Sequence, residues 1–180
     1  MSRLAGRYAV GVIVWLNGPF GVGKTTVAAE LVRLMPGART FDPERLGWVL
    51  KRTVGVFRPG DYQHLWLWRL GTVLSVSRRA RAGGTLVVPM SVLRRGYLEE
   101  LLQGLRRRGH EVRHVLLDAS PEVLVERIEH DGVPDPRVWR LDNLGAYLTA
   151  RRGLEAYGAV VDTDELTPTE VAEAVLAELS

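Results

Sequence analysis

The chain has 180 residues, of which 46% are hydrophobic and 25% charged, a composition that suits one folded α/β domain and excludes a disordered chain. It contains no cysteine, which excludes disulfides, cysteine-ligated metal sites and thiol nucleophiles. The formal net charge is +3, and short arginine clusters are scattered along the sequence. Because no aromatic-rich RNA-binding motif accompanies them, we interpret these clusters as solvated helix ends and predict no nucleic-acid partner.

The first predicted element is the apolar run Val10–Leu16, which is typical of a central strand buried on both faces. Arginines precede it, as in a secretion signal. However, the run is too short to span a bilayer, and no small-residue cleavage site follows it. No other window is long enough for a membrane helix. We therefore expect a cytoplasmic protein with no transmembrane segment.

Strands and helices alternate along the rest of the chain. Helices are predicted over 24–35, 43–53, 61–77 and 97–108, from Pro121, from about Arg137, and after the capping sequence Thr167–Glu170. The further strands are predicted near Thr40 and over 85–90, 111–117 and 159–162. This alternation predicts a three-layer α/β fold, with a five-stranded parallel sheet and helices on both faces. Because the sequence shows no linker and no internal repeat, we also predict a single domain over residues 1–180.

Residues Gly18–Thr25 match the phosphate-binding motif G-x-x-x-x-G-K-[ST] in full, between an apolar strand and a helix. In such a loop, backbone N–H groups cradle phosphate oxygens, the lysine reaches the β- and γ-phosphates, and the hydroxyl binds Mg²⁺. The helix that follows directs its positive dipole end at the anion. The sequence therefore predicts a P-loop kinase fold that binds ATP and Mg²⁺, with Lys24 also catalytic and Thr25 the metal-binding residue. The predicted nucleotide-binding residues are Gly18, Pro19, Phe20, Gly21, Val22, Gly23, Lys24, Thr25 and Thr26.

Two other classes of P-loop protein are disfavoured. GTPase switches need a guanine-reading Asn-Lys-x-Asp sequence, which is absent, and the switch-like segment Asp142–Gly145 falls inside a predicted helix. Motor and transporter ATPases carry an acidic residue at the end of an apolar strand, whereas the third strand here ends Val87–Ser91 without one. Both observations favour a small-molecule kinase.

Several further segments occur in the same order as in one known family. They are Trp15–Thr25, Phe41–Gly47, Leu67–Arg69, Val87–Ser91 and Asp162–Leu166. Together they resemble the tunicamycin-resistance protein family of bacterial P-loop proteins, over most of the chain. The resemblance implies the fold of nucleoside-monophosphate kinases and of the small kinases for shikimate, gluconate and chloramphenicol. It also implies a role in resistance to a nucleoside antibiotic.

Asp42 follows the second predicted strand, whose end we expect to lie beside the phosphate-loop strand. A carboxylate there can accept the proton of a substrate hydroxyl that attacks the γ-phosphate. It can instead cap the helix that begins at Pro43, and Glu44 is a second candidate base.

Basic residues on the same side of the predicted sheet complete the substrate site. The predicted substrate-binding residues are Asp42, Arg45, Arg58 and Arg69. Because Arg69 lies in an apolar helix segment, we expect it to pair with a substrate phosphate, with Asp42 or with another internal carboxylate. For the nearby aromatic residues Tyr62, Trp66 and Trp68, we expect packing in the core, and the alternative is the wall of a pocket for a ring or a lipid-like chain.

Residues 131–140 contain a glycine and two prolines and predict a lid. Arg127 and Arg137 are predicted catalytic residues that neutralise charge on the transferring phosphoryl group. The alternatives are stacking of Arg127 on the adenine and simple solvation of both arginines. Asp162 and Asp164 either line the base pocket or serve a turn.

The predicted reaction is transfer of the γ-phosphoryl group of ATP to a hydroxyl or phosphate of a small molecule. The resemblance implies that this acceptor is tunicamycin or a similar nucleoside antibiotic. Two alternatives remain open: a nucleotide or metabolite kinase, and an ATP-binding protein that sequesters the drug without phosphate transfer.

Overall fold

The computed structural model describes residues 11–43, 64–130 and 137–180. Strands and helices alternate through these ranges, as the sequence predicts. The strands are β1 (Val12–Asn17), β2 (Arg39–Thr40), β3 (Thr85–Pro89), β4 (Glu111–Asp118) and β5 (Ala159–Asp162). The helices are α1 (Lys24–Leu34), α2 (Trp66–Ala80), α3 (Arg95–Arg106), α4 (Pro121–His130), α5 (Arg137–Glu155) and α6 (Pro168–Glu178).

The five strands form one parallel sheet in the order β2-β3-β1-β4-β5. In the register of the sheet, Val12 of the central strand lies opposite Thr85 of β3 and Glu111 of β4. All six residues of β1 are buried, which explains why its sequence is a nearly continuous apolar run. The predicted five-stranded parallel sheet is confirmed.

The helices pack in two groups. In one, α1 packs against α6, and in the other, α2 packs against α3 while α3 and α4 both pack against α5. Right-handed crossovers between the parallel strands place these groups on opposite faces of the sheet. The core lies between each group and the strands, and it includes Trp15, Leu86 and Leu116, each at most 1% exposed. Burying an aliphatic or aromatic side chain of this kind stabilises the fold by about 1.5–3 kcal/mol. No helix in the described part of the chain is long and apolar enough to cross a membrane.

Helix α2 differs from its prediction in position and in exposure. It begins at Trp66 and continues to Ala80, whereas the sequence predicted 61–77. The side chain of Trp66 is 62% exposed, so the expectation of core packing is wrong for this residue. The reason is that the buried residues of α2 begin only at Thr72, and its first turn extends beyond the core. Trp68 is partly buried and packs against the core.

Several predicted features fall partly or wholly outside the described residues. They include Val10 of the first strand, the helix over 43–53 beyond Pro43, residues 61–63 of the next helix, the lid residues 131–136, and the side chains Glu44, Arg45, Arg58 and Tyr62. Residues 137–140, the other part of the predicted lid, form the first turn of α5. At the end of the chain, the predicted capping box is confirmed, because the Thr167 hydroxyl accepts from the Glu170 N–H and the Glu170 carboxylate accepts from the Thr167 N–H.

His114 is a polar side chain in the core, on β4, and it is only 4% exposed. Within the described structure neither of its ring nitrogens has a hydrogen-bond partner. Burial, assisted by the positive charge of Arg106, lowers the pKa of His114 to about 4. The imidazole therefore stays neutral in the folded protein at pH values where the unfolded chain binds a proton.

This pKa shift predicts acid sensitivity that originates at one residue. As the pH falls from 6.5 to 4, His114 becomes protonated in the unfolded state but stays largely neutral in the folded state until the pH approaches 4. The free energy of unfolding therefore decreases by about 3 kcal/mol over this range. We expect His114→Phe to flatten this decrease while leaving stability at pH 7.5 little changed. Urea unfolding at several pH values measures the difference, with His130→Phe, at an exposed histidine, as the control. Equal pH dependence in the His114→Phe variant and the unmodified protein would contradict the prediction.

Candidate nucleotide-binding site

The phosphate-binding motif forms a loop between the carboxyl end of β1 and the first residue of α1. Gly18 has a φ of 147°, and a Cβ at this position would lie 2.5 Å from the Leu117 carbonyl oxygen, so the loop tolerates no side chain there. Gly21 has a φ of 81° and packs against α4, where a Cβ would lie 3.0 Å from Ile128. The first turn of α1 contains no acidic residue, which leaves the positive end of the helix dipole available to an anion.

Asn17, the last residue of β1, fixes the start of this loop. Its side-chain oxygen accepts from the N–H groups of Gly18 at 2.9 Å and Val92 at 2.8 Å, and its amide nitrogen donates to the Val92 carbonyl at 3.0 Å. The side chain is completely buried. The amide therefore ties the phosphate loop to the segment that follows β3. Sequence reasoning missed this role, although a polar residue that ends an apolar strand before a glycine was a visible signal.

Lys24 folds back over the loop that precedes it. Its Nζ donates to the carbonyl oxygens of Gly18 at 3.1 Å and Pro19 at 2.7 Å, and it lies 5.6 Å from the centroid of the Phe20 ring. The positive charge is thus held directly at the concave loop. Thr25 and Thr26, which follow it on the first turn of α1, are exposed.

Asp42 is partly buried and lies two residues beyond the end of β2. The preceding residue, Phe41, donates its N–H to the Val87 carbonyl of β3 at 2.9 Å. The expectation that this strand end lies directly beside β1 is wrong, because β3 lies between β2 and β1. The physical reason is the order of the parallel crossovers, which a single sequence does not reveal. Asp42 still lies at the carboxyl edge of the sheet, to which the phosphate loop also belongs.

Arg69 lies on α2 and forms an internal ion pair. Its Nε is 2.7 Å from a carboxylate oxygen of Glu100 on α3, and its guanidinium stacks on the Tyr97 ring at 4.3 Å. Of the three partners expected for Arg69, the structure shows an internal carboxylate, contributed by Glu100. Arg45 and Arg58 lie outside the described residues.

Arg127, on α4, contacts the loop between β5 and α6. Its guanidinium donates to the Thr163 hydroxyl at 2.9 Å, to the Thr163 carbonyl at 2.6 Å and to the Asp164 carbonyl at 3.4 Å. The Asp164 carboxylate accepts from the Ser120 N–H at 2.8 Å, and Asp162 accepts from the Asp164 N–H at 2.8 Å. Arg127 therefore joins α4 to the β5–α6 loop, and both aspartates take part in the turn.

Asp118, at the end of β4, is an acidic residue that sequence reasoning overlooked. Its carboxylate accepts from the Tyr147 hydroxyl at 2.5 Å and forms an ion pair with Arg151, both on α5. Burial and this hydrogen bond raise the pKa of the Tyr147 phenol well above its ordinary value. Because both carboxylate oxygens are engaged, Asp118 anchors α5 to the sheet. An acid after the apolar run Val115–Leu117 was the signal in the sequence.

The first turn of α5 approaches the phosphate loop. The Trp139 ring meets the Phe20 ring edge-on, with centroids 4.9 Å apart. Arg137, the first residue of α5, is 61% exposed and pairs with Glu129 of α4. Among the residues that the structure describes, no three His, Asp or Glu side chains are arranged to hold a metal ion. A hydroxyl such as that of Thr25 therefore needs other oxygen ligands, such as nucleotide phosphates, to complete a Mg²⁺ site.

Comparisons with known proteins agree with this geometry. A family model described as an AAA domain matches residues 13–130, which include the phosphate loop and β4. The tunicamycin resistance protein of Deinococcus radiodurans is 34% identical in sequence, with a TM-score of 0.75, and the match covers 94% of this chain and 96% of that one. The chain belongs to the tunicamycin-resistance family of P-loop proteins. The resemblance noted in the sequence is thereby confirmed.

More distant structures share the fold alone. A gluconokinase from Sinorhizobium meliloti 1021 has 23% identity and a TM-score of 0.64, with 96% of this chain and 93% of that chain covered. A shikimate kinase from Acinetobacter baumannii has 21% identity and a TM-score of 0.61, with coverage of 93% and 92%. Among curated proteins, no sequence matches significantly. The P-loop kinase fold predicted from the sequence is therefore confirmed.

The contacts of Asn17 predict that its amide is needed for both stability and loop geometry. Asn17→Ala removes three buried hydrogen bonds and leaves backbone groups of Gly18 and Val92 without their partner. We expect a loss of about 2–4 kcal/mol in the free energy of unfolding, measured by urea denaturation. Asn143→Ala is the control, because the Asn143 amide donates to a carbonyl of its own helix. A loss no larger than that of the control would refute the structural role of Asn17.

Proposed function

We propose that this chain binds ATP with Mg²⁺ at residues 18–26 and transfers the γ-phosphoryl group to a hydroxyl or phosphate of a small molecule. The observation that carries the proposal is the placement of a complete phosphate loop and Asp42 at one edge of a parallel sheet. In open α/β sheets, ligands bind in the crevice at the carboxyl ends of the strands. The kinase-like fold of the structural neighbours supports the same reaction class.

The residues of the loop fit a nucleotide triphosphate. Gly18 and Gly21 let the loop pack closely on Leu117 and Ile128, and Lys24 brings a positive charge to the loop. The N-terminus of α1 has no side-chain capping bond and no acidic residue in its first turn, and it adds backbone N–H groups and a positive dipole end. Mg²⁺ bound with the nucleotide would neutralise phosphate charge, and the Thr25 hydroxyl is the group we assign to hold it.

In the proposed reaction, Asp42 orients the acceptor hydroxyl for in-line attack on the γ-phosphorus. The new bond joins the acceptor oxygen to this phosphorus, the bond to the β-γ bridging oxygen breaks, and ADP leaves. Asp42 accepts the proton of the hydroxyl late in the reaction, since phosphoryl transfer passes through a loose transition state. Lys24 stabilises the charge that develops on the phosphate oxygens.

We assign Arg127 to the part of the site that holds the nucleotide base and Arg137 to the part that holds the transferring phosphoryl group. The bonds of Arg127 to Thr163 and Asp164 support a role beside the nucleotide base rather than at the γ-phosphate. Arg137 is exposed and pairs with Glu129, so its guanidinium can reach a phosphoryl group once that pair opens. Arg45, Arg58 and Arg69 remain proposed contacts of the acceptor.

We propose tunicamycin or a related nucleoside antibiotic as the acceptor, which makes the chain a cytoplasmic resistance enzyme. Support comes from the Deinococcus radiodurans protein, whose match extends over almost the whole of both chains. Mass spectrometry of tunicamycin incubated with the protein, ATP and Mg²⁺ tests this directly. A mass gain of one phosphate supports transfer to the drug. Binding without a mass gain would instead identify a sequestering protein, and transfer to nucleotides or sugar acids alone would identify a metabolite kinase.

Lys24 provides the test of nucleotide binding. Lys24→Ala removes a charged contact to the phosphates worth on the order of 2–3 kcal/mol, so ATP affinity should fall about thirtyfold or more. The fold should persist, because Lys24 faces the loop and not the core. Calorimetric titration with ATP measures the change, and Arg33→Ala, at the exposed far end of α1, serves as the control. Unchanged ATP affinity in a folded Lys24→Ala variant would refute the nucleotide site.

Asp42 provides the test of phosphate transfer. Asp42→Asn keeps the shape and much of the capping ability of the side chain but removes the base, so turnover should fall about 10²- to 10⁴-fold. ATP affinity should hardly change. If Asp42 only caps a helix, the variant should instead lose at most ~1 kcal/mol of stability and keep its turnover. Turnover and melting temperature are measured on the same variant, with Asp142→Asn on α5 as the matched control.

A further inference from the structure

Phe20 connects the phosphate loop to a helix that is distant in the sequence. Its ring contacts the edge of Trp139 at 4.9 Å between centroids, with an interplanar angle of 60°. Both side chains are partly buried, so the contact excludes part of each ring from water. An edge-on aromatic pair of this geometry is stabilising and has a defined orientation. The tip of the phosphate loop is therefore held against the first turn of α5.

Phe20 also contacts the residue expected to bind phosphate. Lys24 Nζ lies 5.6 Å from the centroid of the Phe20 ring and donates to the carbonyls of Gly18 and Pro19. An ammonium group has three N–H donors, and Lys24 already donates to these two carbonyls. A phosphate oxygen that accepts from Nζ adds a further partner, so we expect phosphate binding to change the position of the ammonium group relative to the Phe20 ring.

Helix α5 is fixed to the sheet two turns further along. Tyr147 and Arg151 both bind the buried carboxylate of Asp118. Eight residues separate Trp139 from Tyr147, about 12 Å along the helix axis. The first turn of α5 lies N-terminal to this anchor, pairs with α4 through Arg137 and Glu129, and contacts the phosphate loop through Trp139.

We propose that Trp139 is a positioning residue: it holds the phosphate loop in its binding geometry through Phe20, and its environment changes when a triphosphate binds to Lys24. The proposal rests on the nucleotide-binding part of the proposed function and not on the identity of the acceptor. Loss of the indole leaves Phe20 without its aromatic partner. Part of the binding free energy of a triphosphate is then spent on ordering the loop, so affinity falls.

Calorimetric titration with ATP and with inorganic triphosphate tests the positioning role. Trp139→Ala should weaken both affinities by about 2- to 12-fold, and Trp139→Phe, which keeps an aromatic edge, should restore most of the loss. In a Phe20→Ala background, Trp139→Ala should cost little more, because the two rings act as a pair. Val138→Ala is the matched control, since its side chain is 67% exposed on the same turn.

Fluorescence supplies a readout that a purely structural role would not change. Triphosphate should alter the tryptophan emission of the unmodified protein, and Trp139→Phe should abolish that alteration. Two results would overturn the positioning role while leaving the proposed function intact. In the first, Trp139→Ala binds triphosphate as tightly as the unmodified protein does. In the second, the affinity losses of Phe20→Ala and Trp139→Ala add up in the double variant. If the unmodified protein binds neither ATP nor triphosphate, both proposals fail.

Discussion

The side-chain amide of Asn17 joins backbone groups that the sequence places far apart, those of Gly18 and of Val92. The phosphate loop and the segment after β3 are fixed relative to each other by this contact. It sets where β1 gives way to the phosphate loop, and it holds the segment after β3 against that loop. Because the amide is completely buried, neither backbone segment can move away without leaving polar groups unpaired in the core.

Lys24 and Asp118 show how the charges around the loop favour an anion. Lys24 lies on the loop, and the first turn of α1 has no acidic residue. Asp118, on the neighbouring strand, would repel phosphate if its charge were directed at the loop. Its carboxylate instead binds Tyr147 and Arg151, so the same residue that could oppose an anion fixes helix α5.

Apolar runs and the phosphate motif were sufficient to predict the sheet, the loop and most helix positions, because these depend on local pattern. What could not be predicted depends on pairs distant in sequence. The Glu100 partner of Arg69 and the carboxylate cluster at Asp118 are set by how helices pack on the sheet. The place of β3 between β2 and β1 depends on which strands pair, and a single sequence does not reveal this. The exposure of Trp66 depends on how far along α2 the core extends.

The strand order also constrains the sequence of events during synthesis. β1 is made early, but its two neighbours are β3 and β4, and Val12 meets Thr85 and Glu111. A ribosome must therefore add β4 before the central strand has both partners. Until then the apolar surface of β1, which is buried on both sides in the finished fold, lacks part of its cover. Parallel sheets assembled from such distant segments fold slowly, and the unfinished chain is a natural target for chaperones.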